Sequence, residues 1–518
     1  MRGALAGSML LAAAASGAGG QGIASRKDPV HETSIVELQA EMTAGRMSAL
    51  QLVDLYLARI AAYDHQGPSL NAVISLNPRA RADASALDEE RRAGRVRGPL
   101  HGIPVLIKDN YATVGMPTTG GSIALAGFVT GRDAFQVARL RAAGAVILGK
   151  TNMHELASGV TNASSLGGQT CNPYDPARIP GGSSGGTGAA IAASFAAIGW
   201  GSDTCGSIRI PAASNNLFGL RPTKGLSSIA GIIPLSHTQD VAGPLARTVT
   251  DLAIGLDATI GADPDDAATR LVAGRPPVSF VGSLDANALR GARIGVLASM
   301  FGNQPEDQEA ATIVRAALDR MKSAGATIVE VSIPGLDTLI QRAGVIDHEF
   351  KFDFMDFMAA FPDAPVRTLD DVINRGLYHQ AIDASIRRRN AVAARTSPQY
   401  GAALARRDVA RRMVEAFLDS AALDGVAYPT VRRKPTLISQ PQPPGNCQLS
   451  AVTGLPAMAM PAGFTADSLP IGLEILGRTL SDTRLVALAF SYEQAAQPRR
   501  SPRLTPALTN PPARIWRP

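Results

Sequence analysis

Apolar residues recur along the chain at two spacings, one typical of helices and one typical of buried strands. Helices are predicted to begin at two capping boxes, Ser34-Ile-Val-Glu37 and Ser48-Ala-Leu-Gln51. The pattern predicts further helices at 79–92, 135–143, 189–197, 306–324 and 484–495. Short apolar runs predict buried strands at 73–76, 145–148, 294–297, 327–331, 426–428, 457–460 and 471–475.

These helices and strands alternate along almost the whole chain. Such alternation is typical of an α/β protein in which helices cover both faces of a central sheet. We therefore predict one large α/β domain over residues 23–497, with a mixed, mostly parallel sheet. Within it, residues 335–420 form a less regular helical segment, and residues 498–518 follow it as a Pro-rich tail.

The composition permits a large buried core. Of the 518 residues, 45% are hydrophobic and 18% are charged, so disorder is excluded as the main state. The net charge of +6 is small for this length, and the Arg residues are spread without a basic run. A nucleic-acid partner is therefore not expected.

Cysteine and histidine are both scarce. The three cysteines, Cys171, Cys205 and Cys447, are too few for a disulfide scaffold and lack the C-x-x-C spacing of a zinc ribbon. The seven histidines include no H-E-x-x-H motif. We therefore do not expect a metalloenzyme.

The N-terminus differs from the rest of the chain. Arg2 precedes a stretch of Ala, Gly, Leu, Ser and Met that extends to residue 20. A positive start, an apolar run and small residues are typical of a secretory signal peptide, predicted here at residues 1–22. We expect a periplasmic or secreted protein, or a cytoplasmic one if this stretch is a misassigned extension. No later segment has the ~18 apolar residues of a spanning helix, so stable membrane insertion is not expected.

Two glycine motifs suggest functions that their surroundings do not support. Residues 144–151 fit the P-loop pattern of nucleotide-binding proteins, but their middle positions, Ala-Val-Ile-Leu, are themselves a strand. Residues 181–186 fit the nucleophile-elbow pattern around Ser183 and around Ser184, but a Pro-broken loop precedes them instead of a strand. We therefore disfavour both a nucleotide-binding protein and a Ser-His-Asp hydrolase.

A third group of residues suggests a different chemistry. Between residues 181 and 211, two Gly- and Ser-rich loops are joined by a small-residue helix and a short strand. Lys108 ends an apolar run earlier in the chain. Serine hydroxyls and one amine, without histidine, suit a Ser-Ser-Lys catalyst. Most Gly/Ser loops, however, are simply turns.

These residues belong to an ordered set of motifs that resembles the amidase signature family. The resemblance extends from about Ser34 to Gln497 and is greatest to bacterial peptide amidases and aryl acylamidases. Each motif alone is weak, whereas the ordered set is highly specific. The motifs are Gly102-Ile-Pro-Val-Leu-Ile-Lys-Asp109, Gly149-Lys-Thr-Asn152, Gly168-Gln-Thr-Cys-Asn-Pro173, 181–186, 201–211, Phe218-Gly-Leu-Arg-Pro-Thr-Lys-Gly225, Gln239-Asp-Val-Ala-Gly-Pro-Leu-Ala-Arg247, Gly454-Leu-Pro-Ala457 and Leu469-Pro-Ile-Gly-Leu473.

The resemblance implies a catalytic triad. Ser207 matches the family's nucleophile, Ser183 matches a bridging serine that follows a cis peptide bond, and Lys108 matches the general base. A lysine with an ordinary pKa near 10.4 is protonated at pH 7 and cannot accept a proton. Burial beside the apolar residues 105–107 would lower the pKa of Lys108 and make it a base.

The resemblance also implies an oxyanion hole in the loop before the nucleophile. Asp203 and Arg209 are expected to brace the site as an ion pair, and Ser184 to hydrogen-bond within it. Cys205 departs from the family, in which glycine is usual here; its thiol is a rival nucleophile, but no histidine is positioned by sequence to activate it. The expected backbone N–H donors are those of Thr204, Cys205, Gly206 and Ser207.

The function implied by the resemblance is that of a serine amidase. Such an enzyme hydrolyses a carboxamide C–N bond through an acyl-enzyme and releases an amine or ammonia and a carboxylate, without metal or cofactor. The preferred amide, and whether Cys171 and Cys205 are oxidised, stay open at this stage. Two alternatives also stay open: an A-type amidotransferase subunit that generates ammonia from glutamine, and an aryl-acylamide, carbamate or ester hydrolase of the same fold. A monomer or homodimer acting on a small-molecule or peptide amide is expected.

Overall fold

A sheet of 11 strands runs through residues 28–443 and 445–509, the part of the chain that this computed structural model describes. Helices flank the sheet, and the whole forms the predicted α/β domain. A small two-stranded sheet, β4 and β5, lies outside it. The strands are β1 Val73–Leu76, β2 Pro104–Lys108, β3 Val146–Thr151, β4 Ala163–Ser164, β5 Gly168–Gln169, β6 Ile198–Asp203, β7 Phe218–Arg221, β8 Val241–Ala246, β9 Arg293–Leu297, β10 Thr327–Val331, β11 Gly425–Pro429, β12 Ala457–Phe464 and β13 Pro470–Leu476.

The α-helices carry the apolar faces that cover this sheet. Both predicted capping boxes are present, at the N-termini of the first two helices, Ile35–Thr43 and Ala49–Tyr63. The segment 335–420 is helical, as predicted, and contains α9 to α13. The helices are α1 Ile35–Thr43, α2 Ala49–Tyr63, α3 Ala80–Arg92, α4 Phe135–Ala142, α5 Gly185–Ala192, α6 Arg209–Ser214, α7 Val249–Thr259, α8 Gln308–Ser323, α9 Leu336–Gln341, α10 Ile346–Ala359, α11 Leu369–Asn374, α12 Asp383–Asn390, α13 Pro398–Ser420, α14 Gln448–Thr453 and α15 Asp482–Ala496.

The sheet is mixed, as predicted, but most of its strand pairs are antiparallel. Its order is β1-β3-β2-β6-β8-β7-β12-β13-β11-β9-β10. Four neighbouring pairs are parallel and six are antiparallel, so the prediction of a mostly parallel sheet is wrong. Parallel neighbours need a long crossover, whereas residues 465–469 alone join β12 to β13 and leave only an antiparallel hairpin.

Helix α5 lies directly on the sheet because its side chains are small, and all eight of its residues are buried. A Cβ on Gly186 of this helix would lie 2.2 Å from the carbonyl oxygen of Asn152. A Cβ on Gly199 of β6 would lie 2.6 Å from Cγ2 of Thr187. Glycine at both positions therefore permits the close approach that fixes the N-terminus of α5 beside β6.

The described residues leave out the N-terminal end of the chain and include residues 498–509 near its C-terminus. The predicted signal peptide, residues 1–22, lies outside the described residues. Residues 498–509, predicted as the start of a Pro-rich tail, pack onto the domain. Arg499 pairs with Glu32 at 2.7 Å, and Arg59 donates to the backbone carbonyls of Thr505 and Pro506. None of the described helices is long and apolar enough to cross a membrane.

Candidate active site

Lys108 is the last residue of β2, and its side chain is completely buried. Because β2 and β6 are parallel neighbours, their carboxyl ends meet at one edge of the sheet. Lys108 Nζ donates to Ser183 Oγ at 2.8 Å and to Ser202 Oγ at 2.9 Å, and lies 3.4 Å from the Ser202 carbonyl oxygen. The amine is therefore held among serine oxygens at the end of the strand.

The surroundings of Lys108 favour its neutral form. Burial lowers the pKa of this lysine to about 7, against the opposing charges of Asp203 and Asp240. Within the described part of the chain, no carboxylate lies within ion-pair distance of its Nζ. A lysine in this state can accept a proton near neutral pH, as a general base must.

Ser183 and Ser184 lie where the Gly/Ser loop enters α5. A cis peptide bond joins Gly182 to Ser183, as the resemblance implied. Ser184 is the residue before α5, and its hydroxyl donates to the Ser202 carbonyl at 3.2 Å. The Ser184 amide donates to the carbonyl of Ser207 at 3.3 Å. The two Gly/Ser loops of the sequence therefore contact each other directly.

Ser207 lies in the turn between β6 and α6. Its residue is 4% exposed, and its hydroxyl makes no hydrogen bond to any described residue. Ser183 Oγ is occupied by Lys108, and no hydrogen bond joins the Ser183 and Ser207 hydroxyls in the described chain. Of the two serines, Ser207 therefore has the hydroxyl that is free to meet a substrate.

The loop from Thr204 to Ser207 presents backbone N–H groups next to that hydroxyl. The Gly206 amide donates to Asp203 Oδ1 at 2.7 Å, so this predicted donor already has an acceptor inside the protein. Among the described residues, no acceptor contacts the amides of Thr204, Cys205 and Ser207. Three of the four predicted N–H groups could therefore donate to a developing oxyanion.

The Asp203 carboxylate holds the Thr204–Ser207 loop through hydrogen bonds to backbone amides. This carboxylate accepts the Ile208 amide at 3.1 Å and pairs with Arg209 at 3.1 Å and with Arg221 at 3.0 Å. Arg209 also pairs with Glu474 of β13. Although burial opposes ionisation, the charges of Arg209 and Arg221 hold the pKa of Asp203 well below its usual range. The buried ion pair predicted for Asp203 and Arg209 is present and is part of a larger network.

Cys205 forms a disulfide with Cys447, with a Cα–Cα distance of 5.0 Å. Cys171 is the free cysteine. Cys205 is therefore oxidised, but its partner is not Cys171, and it offers no thiol that could rival Ser207 as nucleophile. The pairing arises because the fold brings the residues before α14 against the loop after β6, although 242 positions separate the two cysteines.

Sequence reasoning missed two residues that contact the amine or its neighbour. Ser202 accepts from Lys108, and its Oγ also accepts from Asn110 Nδ2 at 3.0 Å. Both residues stand at matched motifs, Asn110 just beyond Lys108 and Ser202 just before Asp203. Their position along the chain was the only signal, because serine and asparagine at these places have many structural uses.

Lys150, from the P-loop-like motif, is a structural residue of β3. Its buried Nζ donates to the carbonyls of Tyr111 at 2.8 Å and Pro117 at 3.1 Å, and lies 3.3 Å from Asp109. The motif's middle positions belong to the strand, as predicted. The contacts of the Lys150 amine are therefore with oxygen atoms of the protein itself.

One further group of residues has the ligand types of a metal site: His237, Glu349 and Asp353. The Glu349 carboxylate accepts from the hydroxyls of Ser236, Thr238 and Tyr400. The Asp353 carboxylate accepts from the backbone and ring nitrogens of His237. Both carboxylates already accept hydrogen bonds from the protein. The cluster therefore links α10 to the 236–240 loop.

The chain is similar to known proteins in both sequence and fold. Residues 51–486 match the protein-family model described as Amidase. The chain is 36% identical over 497 residues to the A-type subunit of the glutamyl-tRNA(Gln) amidotransferase from Ralstonia nicotianae, covering 89% of this chain and 97% of that protein.

Solved structures share the fold over most of their length. The native peptide amidase from Stenotrophomonas maltophilia superposes with a TM-score of 0.85 at 39% identity, covering 91% of this chain and 99% of the amidase. A bacterial aryl acylamidase of the amidase signature enzymes superposes with a TM-score of 0.77 at 26% identity, covering 90% and 97% of the two chains.

Proposed function

Because this chain belongs to the amidase signature family and is an amide-hydrolysing enzyme, we propose that Ser207, Ser183 and Lys108 carry out its reaction. The hydrogen bond from the buried Lys108 to Ser183 is the observation that carries the proposal. Lys108, whose pKa is about 7, is the base in this proposal. The loop that contains Ser207 presents a free hydroxyl and free backbone amides.

In the proposed reaction, neutral Lys108 takes the proton of Ser183 as Ser183 takes that of Ser207. Ser207 Oγ attacks the amide carbonyl, and the oxyanion accepts hydrogen bonds from the N–H groups of Cys205 and Ser207. The C–N bond then breaks as the proton returns through Ser183 to the leaving nitrogen. Water attacks the acyl-enzyme by the same relay and releases the carboxylate.

Substitution of the three residues tests this assignment. Ser207→Ala should abolish amide hydrolysis, and Ser183→Ala and Lys108→Ala should each lose several orders of magnitude without additivity, because the residues act as a unit. Ser75→Ala is the matched control, since the buried Ser75 hydroxyl has no hydrogen-bond partner in the described chain. A sulfonyl fluoride should label wild-type Ser207, located by peptide mapping. Near-wild-type turnover by Lys108→Ala would contradict the relay.

The substrate class that we propose is a peptide with a C-terminal carboxamide. The similarity to a peptide amidase supports this choice, and it exceeds the similarity to the aryl acylamidase. Ammonia release from amidated dipeptides should therefore exceed turnover of p-nitroanilides, simple esters and free glutamine at equal concentration. Faster release of p-nitroaniline than of ammonia would instead assign the chain to aryl amides.

A second candidate function is that of an A-type amidotransferase subunit. The similarity to such a protein over most of both chains supports it. Size-exclusion chromatography of protein from the native host separates the two proposals. A lone chain that hydrolyses peptide amides would support the amidase. A co-eluting partner, with glutamine hydrolysis that requires it, would support the amidotransferase.

We also propose that the protein is exported. The signal-like residues 1–22 support this, as does the disulfide, because disulfides persist mainly in oxidising compartments. N-terminal sequencing of the protein from its native host should find a mature chain that begins near residues 17–22. An intact N-terminus on protein from the cytosolic fraction would contradict export.

A further inference from the structure

The Cys205–Cys447 disulfide attaches the Thr204–Ser207 loop, which we call the oxyanion loop, to a distant part of the chain. Cys205 lies two residues before Ser207, and Cys447 immediately precedes α14. In the described part of the chain, Cys205 makes no hydrogen bond through either its backbone or its side chain. Among the described residues, the disulfide is therefore the specific attachment of Cys205, and the Cys205 amide has no acceptor.

The other end of the disulfide is firmly held. The Cys447 carbonyl accepts from Arg209 Nη2 at 3.3 Å, and Arg209 belongs to the buried Asp203 network. A Cβ placed on Gly206 would lie 2.9 Å from Cys447 Cβ, so the two segments are in close contact. Arg407 donates to the Ala451 carbonyl at 2.9 Å and ties α14 to α13. Cys447 is thus a fixed anchor.

We propose that Cys447 is a positioning residue for amide hydrolysis, acting through the disulfide to hold the Cys205 N–H in its oxyanion-binding direction. The inference rests on the proposed function of the Ser207 site. A donor aimed before the reaction stabilises the developing oxyanion without reorganisation, and it acts on the transition state more than on the bound substrate. Losing the anchor should therefore lower kcat and leave KM almost unchanged.

A dithiol provides the reversible test. Both cysteines are half-buried, so a small dithiol is the suitable reductant. The thiolate attacks one sulfur and forms a mixed disulfide, and the second thiol displaces the protein sulfur. Two electrons and two protons pass to Cys205 and Cys447, and the dithiol leaves as a cyclic disulfide.

We expect reduction of the wild-type enzyme to lower kcat about tenfold and to change KM less than about twofold. The loss is smaller than the roughly hundredfold or greater cost of removing an oxyanion donor, because the Cys205 N–H is misaligned rather than lost. A peptide aldehyde, which forms a tetrahedral adduct with the serine, should bind more weakly by the same factor as kcat/KM. The acid limb of the pH profile should keep its midpoint, because Lys108 is untouched. Reoxidation, followed by thiol titration, should restore kcat.

Variants supply the matched comparison. Cys447→Ser should have the low kcat of the reduced enzyme and no response to dithiol, whereas Cys171→Ser should keep both the activity and the response. Near-ultraviolet circular dichroism and thermal unfolding report whether each form is folded at the assay temperature.

The outcomes separate the inference from the proposed function. An oxidised enzyme that hydrolyses no amide would refute the function. An active enzyme whose kcat is unchanged after both thiols titrate would overturn the inference alone, as would a rise in KM at constant kcat. Unfolding of both the reduced enzyme and Cys447→Ser would also overturn it, because the disulfide would then serve stability rather than positioning.

Discussion

Lys108 and Lys150 are fully buried lysines on neighbouring parallel strands, but only Lys150 has a carboxylate partner. A buried cation is costly unless it is paired, and the cost appears as a lowered pKa. For Lys150 the partner is Asp109. Burial lowers the pKa of both amines, but Lys150 lies beside the Asp109 carboxylate whereas Lys108 does not. The ion pair, and not burial alone, therefore distinguishes the structural lysine from the proposed base.

Lys108→Met should stabilise the fold while abolishing turnover. Burial lowers the pKa of Lys108 to about 7, below its unfolded value of about 10.4. Below pH 7 the folded protein therefore carries the full cost of the charge. Between pH 7 and about 10 the unfolded chain keeps a proton that the folded protein has released, so wild-type stability rises with pH. The gain in Tm should be largest at pH 6 and should shrink towards pH 10.

Differential scanning calorimetry at pH 6, 8 and 10 measures this gain. Lys150→Met is the matched control, and it should lower Tm because it leaves the Asp109 carboxylate buried without a cation. A Lys108→Met protein that is less stable than wild type at pH 6 would contradict the assignment of an unpaired, destabilising lysine.

The pH dependence of catalysis has the same origin. Since only neutral Lys108 accepts a proton, kcat/KM should rise through an acid limb with a midpoint near pH 7 and reach a plateau above it. Steady-state assays of ammonia release from pH 5 to 9 give the profile. A flat profile through this range would exclude Lys108 as the base.

Single residues of the site were predictable only where a local motif marked them. Lys108, Ser183 and Ser207 stand in motifs that resemble those of the family, and the structure brings Lys108 and Ser183 into contact. The Cys205–Cys447 pair was not predictable, because nothing local to either residue indicates a partner 242 positions away. Gly206 was expected as an oxyanion donor, but its amide is used by Asp203.

At the scale of elements, α13, the last helix of the 335–420 segment, contacts the Thr204–Ser207 loop through one side chain. Arg407 Nη1 donates to Gln239 Oε1 at 2.8 Å, and Gln239 Nε2 donates to the Thr204 carbonyl at 3.2 Å. Burial, and then the charge of Arg221, lower the pKa of Arg407 to about 10. The helix thus places a buried guanidinium where it supports the loop through one intervening side chain.

Arg407→Met should lower kcat several-fold with a small change in KM, because the Thr204 carbonyl loses its indirect support from α13. Arg406→Met, one position along the same helix, is the control, since the half-buried Arg406 side chain hydrogen-bonds, among the described residues, to the Arg342 carbonyl alone, at 3.4 Å. Steady-state kinetics on an amidated dipeptide separates the two parameters. Equal effects of both substitutions would show that the result reflects helix stability alone.

Elements were predicted well where hydrophobic spacing or a cap marked them. Strands β1 and β10 have the predicted bounds, and both capping boxes begin helices. Strands β7 and β8 were missed because Gly219, Gly243 and Pro244 interrupt short runs that the neighbouring strands nevertheless bury. Helix α5 begins at Gly185 rather than at 189, since contact with the sheet outweighs the poor helix propensity of its glycines.

For the whole molecule, the C-terminal segment 498–509 packs against the N-terminal part of the chain, including α2. Arg499 is held by Glu32, by the Tyr174 hydroxyl at 3.0 Å and by the Ala192 carbonyl at 2.9 Å. Although burial opposes it, the charge of Arg499 lowers the pKa of Glu32 to about 2. This segment therefore attaches the residues before α1 to the end of α5.

Truncation after Gln497 should lower Tm by several degrees at pH 7, since it removes the Arg499 partner of the half-buried Glu32. The Glu32–Arg499 pair contributes its full stability above the unfolded pKa of about 4.3 and loses it as pH falls towards the folded pKa of about 2, so the difference in Tm should shrink over that range. Thermal unfolding at pH 7 and pH 3 measures it. Removal of residues 510–518 is the control, because it leaves Arg499 in place; equal losses would contradict the anchor.

The separation of Cys205 and Cys447 along the chain has a consequence for a cleaved molecule. All five helices of the 335–420 segment lie between the two cysteines. A protease that cuts once anywhere in the 335–420 segment produces two pieces that stay joined through sulfur, one with Cys205 and Ser207 and the other with Cys447. The nicked protein should migrate as a single species without reductant and as two with it. Insertions and deletions in the 335–420 segment likewise leave the covalent attachment of the Thr204–Ser207 loop intact.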